Sequence, residues 1–298
     1  MKNILLTGAT GNIGKNLLKY LSKKKFKTTV LSRNKLDNFK TIQFDFENRK
    51  IPKSFLLNID AVIHLAAYSS DEGKFDVYRK KKYLNLNHKK TIELAKLSIK
   101  NNVKCFIFIS SYKAMYHNHI SNEKEVFDYG SLKRFTETKL LRLFKESKTI
   151  LYILRFPVIF GPNIKNNLSL MRNVIRFGLL PKIPNTSNRK QFIHIDDAVA
   201  AINLLLNKKY KKNSTYYLTD MKIYSISEIQ KILTELEGKT LPILPFPIYL
   251  FKLLSKLNSH VNLIFKKLFE DDFFEDHTSF FPDYYKLKTL RQFDETNI

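Results

Sequence analysis

"TGATGNIG", Thr7 to Gly14, holds three of the chain's eight glycines. The run before it, "KNILL", is short and apolar, and the run after it, "KNLLKYLSKK", sets Leu17, Leu18 and Leu21 at helical spacing. The glycines therefore lie on a turn between a buried strand and an amphipathic helix. In that setting Gly8 allows the tight turn out of the strand, Gly11 lets the backbone approach a pyrophosphate, and Gly14 lets the helix pack close. Asn12, Ile13 and Gly14 open the helix, where free N–H groups and the positive dipole end face a phosphate. The spacing is G-x-x-G-x-x-G, not the commoner G-x-G-x-x-G. An ordinary strand–helix turn could carry the same glycines, so the rest of the chain must decide.

Working outward, apolar strand patterns follow at 27–33, 41–47, 60–67, 103–111 and 149–157. Helical patterns lie between them, notably at 86–101 and 129–147. Such alternation predicts an α/β fold, a doubly wound parallel sheet with helices on both faces. After about residue 161 the pattern loosens around Pro162, Pro181 and Pro184. The expected organisation is a dinucleotide-binding domain over 1–161, rejoined by 192–212, and a smaller substrate lobe from 162–191 and 213–298. From 241 the sequence predicts a helical lobe, with one helix over 249–269 that is apolar on one side and lysine-bearing on the other. That helix reads as core packing or as a basic membrane-surface helix.

Composition narrows the classes. The 298 residues are 44% hydrophobic and hold one cysteine, Cys105, which excludes an intramolecular disulfide framework. No apolar run reaches the roughly 18 residues needed to span a bilayer, and the N-terminus runs straight into the glycine turn without a leader-like segment. A cytoplasmic enzyme is expected. The formal charge of +25 comes from lysines dispersed through "SKKKFK", "YRKKKY", "NKKYKK" and "FKKLF", so no specific nucleic-acid site is expected. His117 and His119 lack a ligand cluster around them and read as loop histidines, with no metal expected.

The chemistry centres on "YGSLK", Tyr129 to Lys133. Residues four apart on a helix share a face. An ammonium about 4 Å from a phenol contributes roughly 4 kcal/mol at an effective dielectric of about 20, or about three pKa units. That brings a phenol toward neutrality, where it gives or takes a proton efficiently. The 103–111 strand ends in Ser110 and Ser111, whose hydroxyls can hold a substrate oxygen or merely cap the strand. Glycine turn, serine and Tyr/Lys pair together suit hydride transfer with a nicotinamide.

"TGATGNIG", "DAVIHLAA", "FIFISS", "YGSLK", "LRFPVIFGP" and "RKQFIHIDDAVAA" occur here in the order found in extended short-chain dehydrogenases/reductases. Over about residues 1–235 the chain resembles the NAD-dependent epimerase/dehydratase group acting on nucleotide sugars. The resemblance implies Ser111, Tyr129 and Lys133 as catalytic residues, with Lys133 also holding the nicotinamide ribose. It implies that Asp45 and Phe46 contact adenine and that Leu65, Ala66, Ala67, Asn87 and Phe156 line the cofactor site. A uridine diphosphate sugar is the implied substrate, with Lys165 and Asn167 facing its diphosphate and Arg189 or Lys190 contacting the nucleotide. A homodimer through the helices at 86–101 and 129–147 is typical of the group. Two departures stand out. "SSYKAMYH" places Tyr116 one residue late and His117 where the family has glycine. Tyr112 and Lys113 replace the Asp-Glu pair of 4,6-dehydratases, which argues against dehydration.

A 4-keto reductase and a 4-epimerase remain. NAD enzymes place a carboxylate at the end of the second strand, whereas this chain has Ser32 followed by Arg33. That pair suits a 2′-phosphate, so NADP(H) is favoured over NAD(H). Reduction of a 4-keto UDP-(6-deoxy)-N-acetylhexosamine for surface polysaccharide is the first expectation, with a 4-epimerase holding NAD as the alternative. A non-catalytic NADP-sensing or RNA-binding relative is a more distant one.

Overall fold

The computed structural model describes residues 2–24, 26–68, 76–207, 212–240, 248–275 and 280–296. In chain order the elements are β1 (Lys2–Thr7), α1 (Asn12–Ser22), β2 (Phe26–Ser32), β3 (Lys40–Gln43), β4 (Ala61–His64) and α2 (Val77–Tyr83). A π-helical turn, Leu84–Lys89, leads into α3 (Lys90–Lys100), β5 (Cys105–Ser111), α4 (Tyr129–Phe144) and β6 (Ile150–Phe156). Then come β7 (Val158–Phe160), α5 (Asn167–Arg176), β8 (Phe192–His194), α6 (Ile195–Asn207) and β9 (Ser214–Tyr217). Helices α7 (Ile226–Leu236), α8 (Ile248–Leu257) and α9 (Ser259–Phe269) follow.

Seven strands form a wholly parallel sheet in the order β3-β2-β1-β4-β5-β6-β9. The expected doubly wound α/β architecture is therefore present. Strand β1 runs Ile4, Leu5 and Leu6 fully buried, as a strand covered on both faces must. One face packs Leu5, Val62, Phe106, Leu151 and Ile153 against Leu94 and Ala95 of α3 and Leu140 and Phe144 of α4. Chain order reverses between β1 and β4, and the crevice beyond the carboxyl ends of such strands is where ligands bind in open α/β sheets.

The chain divides into two compact units, Met1–Pro157 with Ala198–Leu218, and Val158–Asp197 with Thr219–Asn297. The second unit has its own parallel pair, β7 and β8, and its own core of Phe160, Phe192, Tyr224, Ile229 and Leu233. Two expectations need correction, and part of a third lies outside what the structure describes. The strand expected over 41–47 stops at Gln43, because Asp45 folds back to accept a hydrogen bond from the Glu47 N–H at 2.9 Å. The single helix expected over 249–269 is two helices parted at Asn258, whose carboxamide oxygen accepts from the Val261 N–H at the start of α9. Residues 241–247 of the expected helical lobe lie outside the described residues.

Candidate functional site

Gly8 takes φ +73°, a left-handed conformation, and a Cβ there would sit 2.5 Å from the Ala66 nitrogen. At Gly14 a Cβ would meet the Gly8 carbonyl and lie 2.6 Å from the Ala9 Cα. Gly11 differs. A Cβ there would meet only the Gly8 oxygen, at 3.4 Å, so its other side is open. Gly11 also caps α1 without any side-chain hydrogen bond, and no acidic residue stands in the first turn. A turn closed on two sides, open on the third and aimed by a helix N-terminus fits a dinucleotide pyrophosphate.

A chain of hydrogen bonds braces this turn from below. The Ala66 N–H donates to Thr7 Oγ1 at 3.1 Å, and Thr7 Oγ1 lies 2.7 Å from His64 Nδ1. His64 Nε2 lies 2.9 Å from Thr91 Oγ1, which donates to the Asn87 carbonyl at 3.0 Å. Thr91 has one proton and gives it to Asn87, so Nε2 must carry the imidazole proton and Nδ1 must accept from Thr7. His64 is thus neutral in a single tautomer. Burial, with the Lys133 charge adding to it, pushes its pKa down to about 3.

Asn87 sits on the π-helical turn, a backbone form often found at functional sites. Its carboxamide accepts from the Tyr68 N–H at 2.6 Å and donates to the Tyr68 carbonyl at 2.8 Å. This two-point clamp fixes the segment that carries Leu65, Ala66 and Ala67 out of β4. At the end of β2, Ser32 is half-buried and Arg33 exposed. Asp45 accepts from Glu47 N–H and from Asn48 Nδ2, both at 2.9 Å. Those bonds hold its carboxyl below the usual range, and the Arg33 charge adds a smaller contribution. Phe46 packs edge-on against Phe44.

Strand β5 ends in Ser110, buried with no partner for its hydroxyl, and Ser111, half-buried and accepting from the Lys113 N–H at 3.3 Å. Phe156, buried, is paired in register with Ser111. Tyr129 is the first residue of α4, half-buried, with its ring 6.2 Å from that of Tyr83. Its position is set by a reciprocal cap: the Ser131 N–H donates to Asp128 Oδ1 at 2.7 Å, and the Asp128 N–H donates to Ser131 Oγ at 2.9 Å. One turn on, Lys133 is buried and donates from Nζ to the Ile109 carbonyl at 2.9 Å. Its ammonium stands 4.7 Å from the Phe108 ring centre and 5.7 Å from that of Tyr129. Burial lowers the Lys133 pKa to about 8 against the opposing charge of Glu137. Glu137 is itself fully buried and held by Arg155 at 2.6 and 3.0 Å.

The structure therefore gathers every residue named for cofactor and chemistry into the first unit. Lys165, Asn167, Arg189 and Lys190 belong to the second. There Lys165 and Asn167 are exposed, Asn167 being the first residue of α5. Arg189 bonds Asp271 at 3.1 Å and lies over the Phe273 ring, while Lys190 is buried 3.6 Å from Asp272. His117 pairs with Asp128 at 3.2 Å, and His119 bonds Arg142 at 2.8 Å. Among the described residues no cluster of three metal-ligating side chains occurs. The site residues that sequence reasoning passed over are Thr7, His64, Thr91 and Asp128. The first two stand inside the quoted motifs, but only three-dimensional contact shows what they brace.

Fold and site define a dinucleotide-binding α/β protein of the short-chain dehydrogenase/reductase kind. Residues 4–218 match the model of the NAD dependent epimerase/dehydratase family, and the chain belongs to that family. It is 30% identical over 269 residues to a UDP-glucose 4-epimerase of Vibrio cholerae, spanning 86% of this chain and 82% of that protein. It is 27% identical over 273 residues to a dTDP-D-glucose 4,6-dehydratase of Dictyostelium discoideum, spanning 78% of this chain and 62% of that protein. Among solved structures, a UDP-N-acetylglucosamine 4-epimerase from Methanobrevibacter ruminantium M1 has TM-score 0.67 at 23% identity, covering 82% of this chain and 85% of that one. A UDP-N-acetylglucosamine 4-epimerase from Bacillus cereus has TM-score 0.66 at 21% identity, covering 83% and 85%. These structures share the fold.

Proposed function

We propose that the chain is a UDP-sugar 4-epimerase working with a held nicotinamide dinucleotide. The observation that supports this reading is a glycine turn with the room a dinucleotide needs and, in the same unit, Ser111 ending β5, Tyr129 opening α4 and Lys133 bonded to the Ile109 carbonyl of β5. The relative at 30% identity is a UDP-glucose 4-epimerase, which favours this reaction over the reduction expected first. When bound, the nicotinamide would supply reversible hydride transfer at the sugar C4. In this proposal the Tyr129 phenolate takes the proton from the C4 hydroxyl and, as the phenol, returns it, and the Ser111 hydroxyl steadies that oxygen. The buried Lys133 ammonium favours the phenolate and holds the cofactor ribose.

Asp45, Phe46, Leu65, Ala66, Ala67, Asn87 and Phe156 would line the cofactor. Lys165 and Asn167 are the better candidates for the diphosphate, because Arg189 and Lys190 are already engaged with Asp271 and Asp272. Dehydration is disfavoured, since Tyr112 is buried and Lys113 stands where an acid is needed.

A second reading rests on Ser32 and Arg33. A strand end with a serine hydroxyl and an exposed guanidinium suits a 2′-phosphate, and NADP(H) would suit net reduction of a 4-keto sugar. Purified protein incubated with UDP-sugars and their 4-keto derivatives, with and without NADPH, separates the two. An epimerase interconverts C4 isomers without added reductant, whereas a reductase consumes NADPH in step with product. Product identity by NMR decides.

A further inference from the structure

From Ile248 to Phe269 the sequence holds four lysines and no acidic residue. On α8, Tyr249, Leu253 and Leu257 recur every fourth residue and so form one stripe. They are 91%, 57% and 80% exposed. Lys252 and Lys256 are exposed along the same side, and Ser255, on the opposite side, is buried. With Ser255 buried, the helix turns an aromatic ring and two leucines to water on the side away from it. A single exposed leucine needs no explanation, but an apolar stripe edged by cations points to a partner.

We infer that this stripe is a docking surface for an anionic phospholipid bilayer. Charge complementarity selects that partner: the stripe is edged by lysine, its two helices lack any carboxylate, and the whole chain carries +25. Leucine and tyrosine at headgroup depth, with lysine stems lying along the acyl boundary and their amines at the phosphates, are the composition of an interfacial helix. The length fits lying on the surface and not spanning it. At 1.5 Å per residue the 10 residues of α8 cover about 15 Å, against a hydrocarbon core of about 30 Å. Among the described residues no helix is long and apolar enough to cross a membrane. The inference is independent of the reaction proposed above.

The chain contains no tryptophan, so Tyr249→Trp provides a single indole reporter on the stripe. Mixed with vesicles of phosphatidylcholine and phosphatidylglycerol, its emission should shift to the blue. It should stay unchanged with phosphatidylcholine alone. Wild-type protein should sediment with the anionic vesicles, and Leu253→Glu with Leu257→Glu should weaken that by roughly tenfold or more while leaving the melting temperature and turnover unchanged. Absence of vesicle binding would overturn the inference. So would equal binding by the double variant, which would assign the attraction to the general basic surface. If wild type is a dimer by light scattering and the double variant a monomer, the stripe joins two copies of the chain and the inference also fails.

Discussion

Tyr129→Phe keeps the ring in place against Tyr83 and removes only the phenolic proton. Cofactor affinity should stay within about twofold of wild type, and turnover should fall about 10²–10⁴-fold, the usual worth of general acid–base catalysis. Calorimetry for the cofactor and NMR for the sugar measure the two separately; near-normal turnover would remove Tyr129 from its proposed role. Arg33 offers a second single-residue test. A charge-assisted hydrogen bond to a 2′-phosphate contributes about 1.5–3 kcal/mol, or roughly ten- to a hundredfold in affinity. If the second reading holds, Arg33→Ala weakens NADPH by that factor and spares NADH, and Ser32→Asp reverses the preference. If NAD(H) stays bound through purification, the epimerase is the better account and Arg33 serves only as a neighbouring charge for Asp45.

Helix α4 begins at the residue proposed for chemistry, so its cap is part of the site. Asp128→Ala deletes the side chain that accepts from the Ser131 N–H, at an expected cost of about 0.5–2 kcal/mol in urea unfolding. Because Tyr129 is the first helical residue, turnover should fall more than cofactor affinity does. Asp128→Asn keeps the cap and should restore most of both. The elements themselves were unevenly legible in the sequence. Strands β1, β4, β5 and β6 announce themselves as apolar runs because they are buried on both faces, whereas β3, "KTIQ", has no buried residue, and Tyr129 and Lys133 stand out because their spacing is chemically meaningful. Strands β7 and β8 have three residues each and carry no period to read. Strand β9, "STYY", shows only a single buried position, so its pattern is that of a loop. The break at Asn258 is written in the polar run Asn258, Ser259 and His260, which the apolar periodicity on either side outweighs. His64 was invisible as a site residue for a different reason: its role depends on Thr7 and Thr91, which are distant in sequence and adjacent only after folding.

At the scale of the whole molecule, buried titratable groups divide unequally between the two units. In the first, His64 and His88 have pKa values pushed down by burial to about 3 and about 4. Above about pH 6.5 they are neutral folded or unfolded; below it only the unfolded chain takes up protons, so stability falls with acid. In the second, burial raises Asp197 to about 6 and Asp220 to about 7, opposed there by His194 at about 4. A raised carboxyl contributes stability that is full below its unfolded pKa and is lost as pH rises through the folded one, so these two favour mild acid. Hydrogen exchange near pH 7.5 and pH 5, corrected for intrinsic rates, should show protection in β1, β4 and β5 falling more than in α7. Equal losses in both units would contradict this balance.

Strand β9 pairs with β6 from Tyr152↔Ser214 to Arg155↔Tyr217, and everything in the chain from Val158 to Asp197 is assigned to the other unit. On the ribosome the first unit's sheet cannot close until the second unit's leading segment has already emerged. Until then β6 is an open edge, with backbone donors and acceptors ready to pair with any other nascent strand. Expression cut after Pro157 should therefore yield aggregate, whereas a chain in which Val158–Asp197 is replaced by a short linker retains the seventh strand and should be the more soluble of the two.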